Sequence, residues 1–336
     1  MSYVILGFLW ISLLLYILMG GADYGAGILE GVSSDRNRER VRQDAYRTIG
    51  PIWEANHMWL IIAVVIMFVG FPQIYSLVSV YLHIPLAAML LGIIARGTAF
   101  TFRNYDAVKD GMQGLYNRLY VCSSFITPLF LGIIAGSVVS GRIDPQATSF
   151  VGTYINDWLN WFSLSVGLFT VALCGFLSAV YLSVERRGYT CRAIYVGKAR
   201  QMTIFMVVAI IFIFWTAYEQ NIPLLNWFFG NVVCFTALCG SVICFAVLWL
   251  MIGGQMAKTT RILTGGVMTL LWIAITYSHF PDIIILKNNQ TISLLNSGIP
   301  PATINALGVA LLLGVLMILP ALYYLLYSFD RKEREN

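Results

Sequence analysis

Nine long apolar stretches run through the 336 residues of this chain. A helix crosses the hydrocarbon core of a bilayer with about 20 mostly apolar residues, and each stretch comes close to that length. Only 11% of the residues are charged, against about a quarter in soluble domains. We therefore predict an all-α integral membrane protein, a single transmembrane domain over residues 1–336. The predicted transmembrane helices are 3–29, 52–71, 75–100, 119–140, 158–184, 202–218, 226–252, 262–285 and 303–328.

The lysines and arginines fall almost entirely into every second gap between these stretches. Of the 21 basic residues, 19 lie on one side of the predicted membrane, leaving only Arg142 and Lys287 on the other. Cytoplasmic loops carry the excess of basic residues, so the rich side is predicted to be cytoplasmic. The N-terminus is then outside and the C-terminus cytoplasmic, which agrees with an odd number of crossings. The net charge of +5 fits basic loops beside anionic lipid headgroups and needs no nucleic-acid partner.

An aspartate lies late in the first predicted helix, in the segment Gly21-Ala-Asp23-Tyr-Gly25-Ala-Gly27. Ionisable side chains inside membrane spans are costly and mark functional sites by default. At about 1.5 Å per residue from the outer end, Asp23 lies roughly 30 Å down, at the cytoplasmic end. The glycines allow a neighbouring helix to approach closely. Asp23 is thus either a buried acid at a tight helix junction, on a proton path, or a solvated acid at the end of the helix.

A second acid, Glu54, opens the second predicted helix in Trp53-Glu54-Ala-Asn56-His57-Met-Trp59-Leu60. This helix enters from the cytoplasm, so Glu54 lies at nearly the depth of Asp23. Trp53, Asn56, His57 and Leu60 share one helix face, and His57 is close enough to Glu54 to exchange a proton directly or through water. We predict Glu54 as a proton relay and His57 as a second candidate. The alternative is an acid that only complements the helix dipole.

The other two histidines do not form a site in the sequence. His83 is predicted near the middle of the third helix, either packed and hydrogen-bonded or as a haem ligand, and His279 near the outer end of the eighth. They lie on different helices at different depths, so no metal site is predicted. The sequence contains neither a C-x-x-C-H haem attachment motif nor a nucleotide-binding fingerprint.

The two early motifs resemble those of subunit II of the cytochrome bd-type quinol oxidases. That family shows G-x-D-x-G-x-G late in helix one, matched by Gly21, Asp23, Gly25 and Gly27. It shows W-[D/E]-x-N-x-x-W-L at the start of helix two, matched by Trp53, Glu54, Asn56, Trp59 and Leu60. Weaker matches are Ser124–Pro128 with Gly132 and Gly136, Phe280-Pro281, and the basic positions Arg96 and Arg103.

The resemblance implies a fold of two four-helix bundles plus a peripheral helix. It implies a heterodimer with a subunit I that carries haem b and haem d, oxidises quinol and reduces dioxygen in aerobic respiration. A small single-helix subunit can join such complexes. This chain would then be multi-pass in a bacterial or archaeal cytoplasmic membrane, not catalytic alone, and without haem.

Glu54 occupies the family position on a path that brings cytoplasmic protons toward haem d, while His57 departs from the amide found in some variants. Such subunits can hold a structural quinone, but the sequence assigns no residue to a cofactor. Two alternatives stay open, a proton-coupled permease using the same two acids and a purely structural assembly partner.

Overall fold

The computed structural model describes residues 1–49, 53–105, 112–185, 189–254, 256–287, 290–295 and 298–335. Within these ranges, nine helices are long and apolar enough to cross a membrane, which confirms the predicted all-α membrane fold. The elements in chain order are α1 (Ser2–Leu15), a π-helical segment (Tyr16–Gly20), α2 (Gly21–Gly31), α3 (Asp35–Ile49), α4 (Trp53–Gly70), α5 (Pro72–Tyr81), α6 (His83–Tyr105), α7 (Gln113–Val139), α8 (Phe150–Tyr154), α9 (Trp161–Glu185), α10 (Tyr189–Glu219), α11 (Leu224–Phe229), α12 (Val232–Met251), α13 (Ala257–Ser278), β1 (Asp282–Ile285), β2 (Thr291–Ser293) and α14 (Pro301–Glu335).

The first crossing is one continuous rod built from three pieces, α1, the π-helical segment and α2, over Ser2–Gly31. The crossings that follow are α4, α6, α7, α9, α10, α12, α13 and the first half of α14. The division into two four-helix bundles and a peripheral helix stays a prediction. Of the basic residues used to predict the orientation, Lys109, Arg186 and Arg187 lie outside the described residues.

The predicted third helix, 75–100, is wrong at its start. The chain forms the short helix α5 and then α6, which begins at His83. Pro85 fits the first turn of α6, where no backbone N–H is needed for the helix. His83 is therefore an exposed residue at a helix terminus, not a side chain in the middle of the membrane.

The predicted eighth helix, 262–285, is wrong at its end. Helix α13 stops at Ser278, and Asp282–Ile285 form strand β1, antiparallel to β2. Pro281 lacks a backbone N–H and ends the helical hydrogen bonding. The β-branched Ile283, Ile284 and Ile285 that follow favour a strand. A short apolar run does not distinguish a strand from a helix by periodicity alone.

The basic gap after the first crossing contains a helix, α3, where only a loop was predicted. Its residues Val41 and Ala45 are buried, and Asp44 accepts a hydrogen bond from the Tyr195 hydroxyl at 2.6 Å. The contact ties α3 to α10. This arrangement places the basic helix across the end of the first crossing, next to the candidate site.

Helix α9 lies at the centre of the molecule and packs against α2, α7 and α10. The contact of α7 with α9 is close because both helices carry glycine there. A Cβ on Gly132 would lie 2.7 Å from the Cα of Gly167, and one on Gly167 would lie 2.7 Å from the Leu129 carbonyl oxygen. Small residues let helix backbones meet in this way inside membranes. This central group of helices holds the buried polar residues described next.

Candidate functional site

The strongest polar contact within the membrane joins Asp23 on α2 to Arg96 on α6. Each side chain is only 1% exposed. The two terminal guanidinium nitrogens reach the two carboxylate oxygens at 2.6 and 2.7 Å, and one of them also donates to the Asp23 carbonyl at 2.8 Å. This is the bidentate geometry in which arginine binds carboxylates most strongly. The interpretation of Asp23 as a solvated acid is wrong.

The remaining hydrogen bonds of the Arg96 guanidinium go to α7. Its Nε donates to the Ser124 hydroxyl at 3.1 Å, and a terminal nitrogen donates to the Tyr120 hydroxyl at 3.2 Å. The guanidinium also lies 5.0 Å from the ring centres of Tyr24 and Tyr120. A buried ion pair is tolerated when such additional contacts satisfy its charges. Arg96 therefore fastens α2, α6 and α7 together.

The glycines of the first motif explain how Asp23 is enclosed. A Cβ on Gly25 would lie 2.6 Å from the Cβ of Ser178 on α9, and a Cβ on Gly27 would lie 2.5 Å from the Cβ of Ser124 on α7. A Cβ on Gly21 would also lie close to α9, 3.2 Å from the Leu177 side chain. Because these positions lack side chains, α2 lies directly against two neighbouring helices and no room is left for water around the carboxylate.

A second buried acid, Glu30, lies two turns further along α2. It is 1% exposed and pairs with Arg103 on α6 at 2.9 Å and with Arg42 on α3 at 3.0 Å. The Arg103 guanidinium lies 3.9 Å from the ring centre of Tyr120, which already contacts Arg96. The three ion pairs thus form one network across four helices.

The second motif docks on the π-helical segment of the first crossing. Asn56 is buried and donates to the Met19 carbonyl at 3.4 Å. The His57 ring lies 6.4 Å from Tyr16 and 6.0 Å from Tyr24, whose hydroxyls are hydrogen-bonded at 2.9 Å. Short π-helical segments occur often at functional sites because they displace backbone groups from the regular ladder. Here the side-chain amide of Asn56 donates to a backbone carbonyl of the π-helical segment, that of Met19.

Three polar atoms in this turn of α4 have no partner among the described residues. They are Asn56 Oδ1, His57 Nδ1 and Trp59 Nε1, all buried. Buried polar atoms in native proteins are nearly always hydrogen-bonded to protein or to ordered water. These three atoms can therefore form hydrogen bonds with water molecules between the helices.

Glu54 lies on the side of the same helix opposite Asn56 and Trp59. It is exposed and shares its face with the exposed apolar side chains Ile61, Val65 and Phe68. Among the described residues no hydrogen bond connects Glu54 to His57 or to Asp23. The structure brings Asp23 together with Arg96, and it leaves the Glu54 carboxylate free at the rim of an apolar surface.

Comparison with known proteins decides the family. The model of the family described as cytochrome bd terminal oxidase subunit II matches residues 1–329. This chain belongs to the cytochrome bd terminal oxidase subunit II family. Membership in this family makes the chain a membrane-spanning subunit of a quinol oxidase complex, which is an oxidoreductase of electron transport. The family favours this role over that of a permease.

Two curated relatives and one solved structure are similar to this chain. The chain is 23% identical over 332 residues to cytochrome bd ubiquinol oxidase subunit 2 of Bacillus subtilis, covering 96% of both chains. It is 24% identical over 195 residues to cytochrome bd-I ubiquinol oxidase subunit 2 of Escherichia coli K12, covering 56% of this chain and 51% of the relative. The structure of bd oxidase from Geobacillus thermodenitrificans superposes with a TM-score of 0.79 at 19% identity over 98% of both chains, which shows the same fold.

Two histidines of this subunit II chain pack against aromatic rings. His83 Nδ1 lies 2.8 Å from the Val80 carbonyl, and its ring contacts Tyr154 at 5.0 Å. The His279 ring lies 4.4 Å from Trp227, and burial lowers the pKa of His279. No group of three or more His, Cys, Asp or Glu side chains that could hold a metal ion occurs in the described ranges.

Sequence reasoning missed Arg96 and Glu30 as members of the site. Arg96 was counted with the basic residues of the cytoplasmic side, although it lies inside the predicted third helix. The argument that selected Asp23, an ionisable residue within a span, applies equally to Arg96. A second signal was present, because Asp23 and Glu30 are seven residues apart, as are Arg96 and Arg103. Positions seven apart share a helix face, so the two acids match the two arginines on a neighbouring helix.

Proposed function

We propose that this subunit II supports a haem-bearing subunit I and delivers protons from the cytoplasm toward the haem that reduces dioxygen. Glu54 is the proton-collecting group in this proposal. The observation that carries it is the free, exposed carboxylate at the first turn of α4, one helical turn from the buried polar atoms of Asn56 and His57. A carboxylate without a fixed partner can bind and release a proton at each turnover.

Asp23 has a different role in this proposal. Both of its carboxylate oxygens are held by Arg96 at 2.6 and 2.7 Å. A group engaged in this way positions helices, so Asp23 and Arg96 hold α2, α6 and α7 together, and α2 directly follows the π-helical segment. His57, beside Tyr16 and Tyr24, is the candidate for the step between Glu54 and the interior.

The partner in the proposal is a larger chain that carries haem b and haem d, oxidises quinol and forms a heterodimer with subunit II in a bacterial or archaeal cytoplasmic membrane. Support comes from the names of the relatives, which describe a subunit 2 of a quinol oxidase. A structural quinone and a small third subunit remain compatible with this assembly but have no residues assigned to them.

Substitution of Glu54 tests the proton role. In the purified oxidase, Glu54→Ala and Glu54→Gln should lower quinol-driven oxygen consumption by about 10-fold or more, because proton transfer by a positioned side chain contributes about 10²–10⁴-fold. Glu54→Asp should retain most of the turnover. The reduced-minus-oxidised haem spectrum should stay unchanged in all three variants, since Glu54 has no packing role among the described residues.

The control is Glu39→Gln, which removes an exposed carboxylate on α3 that pairs with Arg42 at 2.9 Å and should leave turnover unchanged. Unaltered oxygen consumption in both Glu54→Ala and Glu54→Gln would exclude Glu54 as a proton relay. Loss of the haem spectrum in these variants would instead assign Glu54 to assembly.

A further inference from the structure

A cleft of about 410 Å³ opens at the end of the molecule that is poor in basic residues. It lies between the loop after α7, the start of α9 and the end of α10. Its lining combines one cation, one anion and two tryptophans, namely Arg142, Glu219, Trp161 and Trp215, with Thr216 and Gln220. This set is mixed in charge and aromatic in its walls, unlike the apolar surface around it.

Three polar groups in the cleft lack partners. Arg142 and Glu219 are exposed and form no ion pair or hydrogen bond among the described residues, and Gln220 Oε1 is buried without a donor. Buried acceptors in native proteins are normally satisfied. The cleft therefore offers one cationic donor group and two acceptors at the same place.

An apolar ridge runs from the cleft along α10. Trp161 is 65% and Trp215 57% exposed, and the ring of Phe212 lies between them, 6.3 Å and 5.6 Å away. The ridge continues through the exposed side chains Ile211, Val208 and Ile204. Their spacing from Trp215 of four, three and four residues keeps them on one face of the helix. Tryptophan is enriched where membrane proteins meet the headgroup layer.

We propose that the cleft binds the headgroup of an aminophospholipid of the phosphatidylethanolamine class. The phosphate binds to Arg142, and the ammonium group donates to the Glu219 carboxylate and to Gln220 Oε1. An acyl chain lies along the ridge of α10.

Other common phospholipids fit the cleft less well. An ammonium group supplies three N–H donors for the two acceptors, whereas a choline group has no N–H to donate. An anionic headgroup without an ammonium group, such as that of phosphatidylglycerol, leaves Glu219 without a cation. The charges of the cleft thus select a headgroup that carries both signs.

Native mass spectrometry of the intact oxidase complex tests the assignment. The delipidated complex is titrated with phosphatidylethanolamine, phosphatidylcholine or phosphatidylglycerol of identical acyl chains. We expect the first lipid adduct with phosphatidylethanolamine to be at least about fivefold more abundant than with either other lipid. Glu219→Gln should abolish that preference, because it removes the acceptor for the ammonium group. Arg142→Ala should weaken the adducts of all three lipids, because the phosphate is common to them.

Tyr218→Ala is the matched control, because Tyr218 is 82% exposed on the same turn of α10 and does not line the cleft. The preference of the Tyr218→Ala complex for phosphatidylethanolamine should match that of the unaltered complex. Equal adduct abundance for the three lipids, an unchanged preference in Glu219→Gln, or undiminished adducts in Arg142→Ala would overturn the proposal.

Free phosphoethanolamine distinguishes a lipid from a soluble ligand with the same headgroup. If the ligand is a lipid, millimolar phosphoethanolamine should not displace the lipid adduct. Ile211→Ser should weaken the adduct, because it interrupts the ridge. If the free headgroup displaces the lipid at equal concentration, the ridge contributes nothing and the lipid assignment is wrong.

Discussion

Arg96 is the largest of the fully buried side chains, and its burial depends on Asp23. Taking a guanidinium out of water is costly, and the cost is recovered only when a carboxylate and additional hydrogen bonds surround it. Arg96 has both Asp23 oxygens together with Ser124 and Tyr120. The pair is therefore a single unit, in which the loss of one member leaves the other as an uncompensated buried charge.

Substitutions of the pair should show this coupling. Asp23→Asn or Arg96→Met should destabilise the subunit by about 3–5 kcal/mol, the usual effect of breaking a buried pair. The double variant Asp23→Asn with Arg96→Met should recover part of that loss. Thermal unfolding of the purified complex, followed by the haem spectrum, provides the comparison. Additive losses in the double variant would contradict a coupled pair.

Arg96→Lys distinguishes geometry from charge. A lysine keeps the positive charge but cannot form two parallel hydrogen bonds with a carboxylate or reach Ser124 at the same time. We expect it to be intermediate between the unaltered chain and Arg96→Met in thermal stability. Stability equal to that of the unaltered chain would mean that only the charge matters.

Gly25 offers a second test at the scale of one residue. A Cβ there would overlap the Cys174 backbone and lie 2.6 Å from the Ser178 Cβ, so Gly25→Ala should separate α2 from α9 and cost about 1–3 kcal/mol or more. The control is Gly7→Ala on α1, where nothing lies within 4 Å of the added carbon. That change should be neutral or stabilising, because alanine favours a helix interior. Equal thermal stability of the two variants would contradict the close α2–α9 contact.

At the scale of elements, the sequence predicts the crossings better than the pieces between them. Apolar length alone is sufficient to find a transmembrane helix. Apolar length alone does not identify β1, because its isoleucines extend the apolar run of α13. It also does not show that the helix ends and a new one begins just before His83. It also fails for α3, a charged segment with few apolar residues, because this helix is held by Arg42–Glu30 and Asp44–Tyr195. Those contacts exist only after the other helices have assembled.

The loops at the end of the molecule that is poor in basic residues are joined by a small polar cap around Asp157. The loop after α7 meets the β1–β2 hairpin through the Ile143–Leu286 bridge, a hydrogen bond from Lys287 N to the Ile143 carbonyl at 3.0 Å, and the Lys287–Asp144 ion pair at 2.9 Å. Asp157, between α8 and α9, is 1% exposed, and its carboxylate lies close to the Asp144 backbone N–H. Burial raises the pKa of Asp157 to about 7, against the opposing effect of that N–H.

This raised pKa predicts that the cap loosens as the pH rises. The closed cap binds a proton on Asp157 that an open, solvated carboxylate releases at its usual pKa of about 3.9. The stabilisation by this proton is complete below about pH 4 and is lost as the pH rises through about 7. Hydrogen exchange of the β1–β2 amides, corrected for the intrinsic pH dependence, should show less protection at pH 8 than at pH 6.

Asp157→Asn provides the control for the cap. It keeps the shape of the side chain and removes the titration, so protection of β1 and β2 should become independent of pH between 6 and 8. Asp144→Asn should have a much smaller effect, because an exposed ion pair such as Lys287–Asp144 contributes little to stability. An unchanged pH dependence in Asp157→Asn would assign the loosening to another group.

For the whole molecule, the number of crossings follows from apolar length, whereas the position of the site does not. Two acids at similar depth suggested that Asp23 and Glu54 act together. In the structure Asp23 instead pairs with an arginine, and Glu54 lies on the exposed face of α4. The register between neighbouring helices is set by side-chain packing. Sequence identifies the residues of such a site, and only the packed helices show which of them meet.

The proton role of Glu54 also depends on which way the whole molecule crosses the membrane. The two sides can be distinguished with single cysteines at exposed polar positions, Glu39→Cys on α3 and Gln146→Cys in the loop after α7. In intact cells stripped of outer barriers, a membrane-impermeant maleimide should label Gln146→Cys, and it should label Glu39→Cys only after the membrane is permeabilised. The unaltered chain measures the background from its own six cysteines. The opposite labelling would place α3 and the first turn of α4 outside, where Glu54 cannot collect cytoplasmic protons. Since α3 is held to α2 by the Arg42–Glu30 pair at 3.0 Å, the label on α3 reports directly on the end of the membrane where the buried network lies.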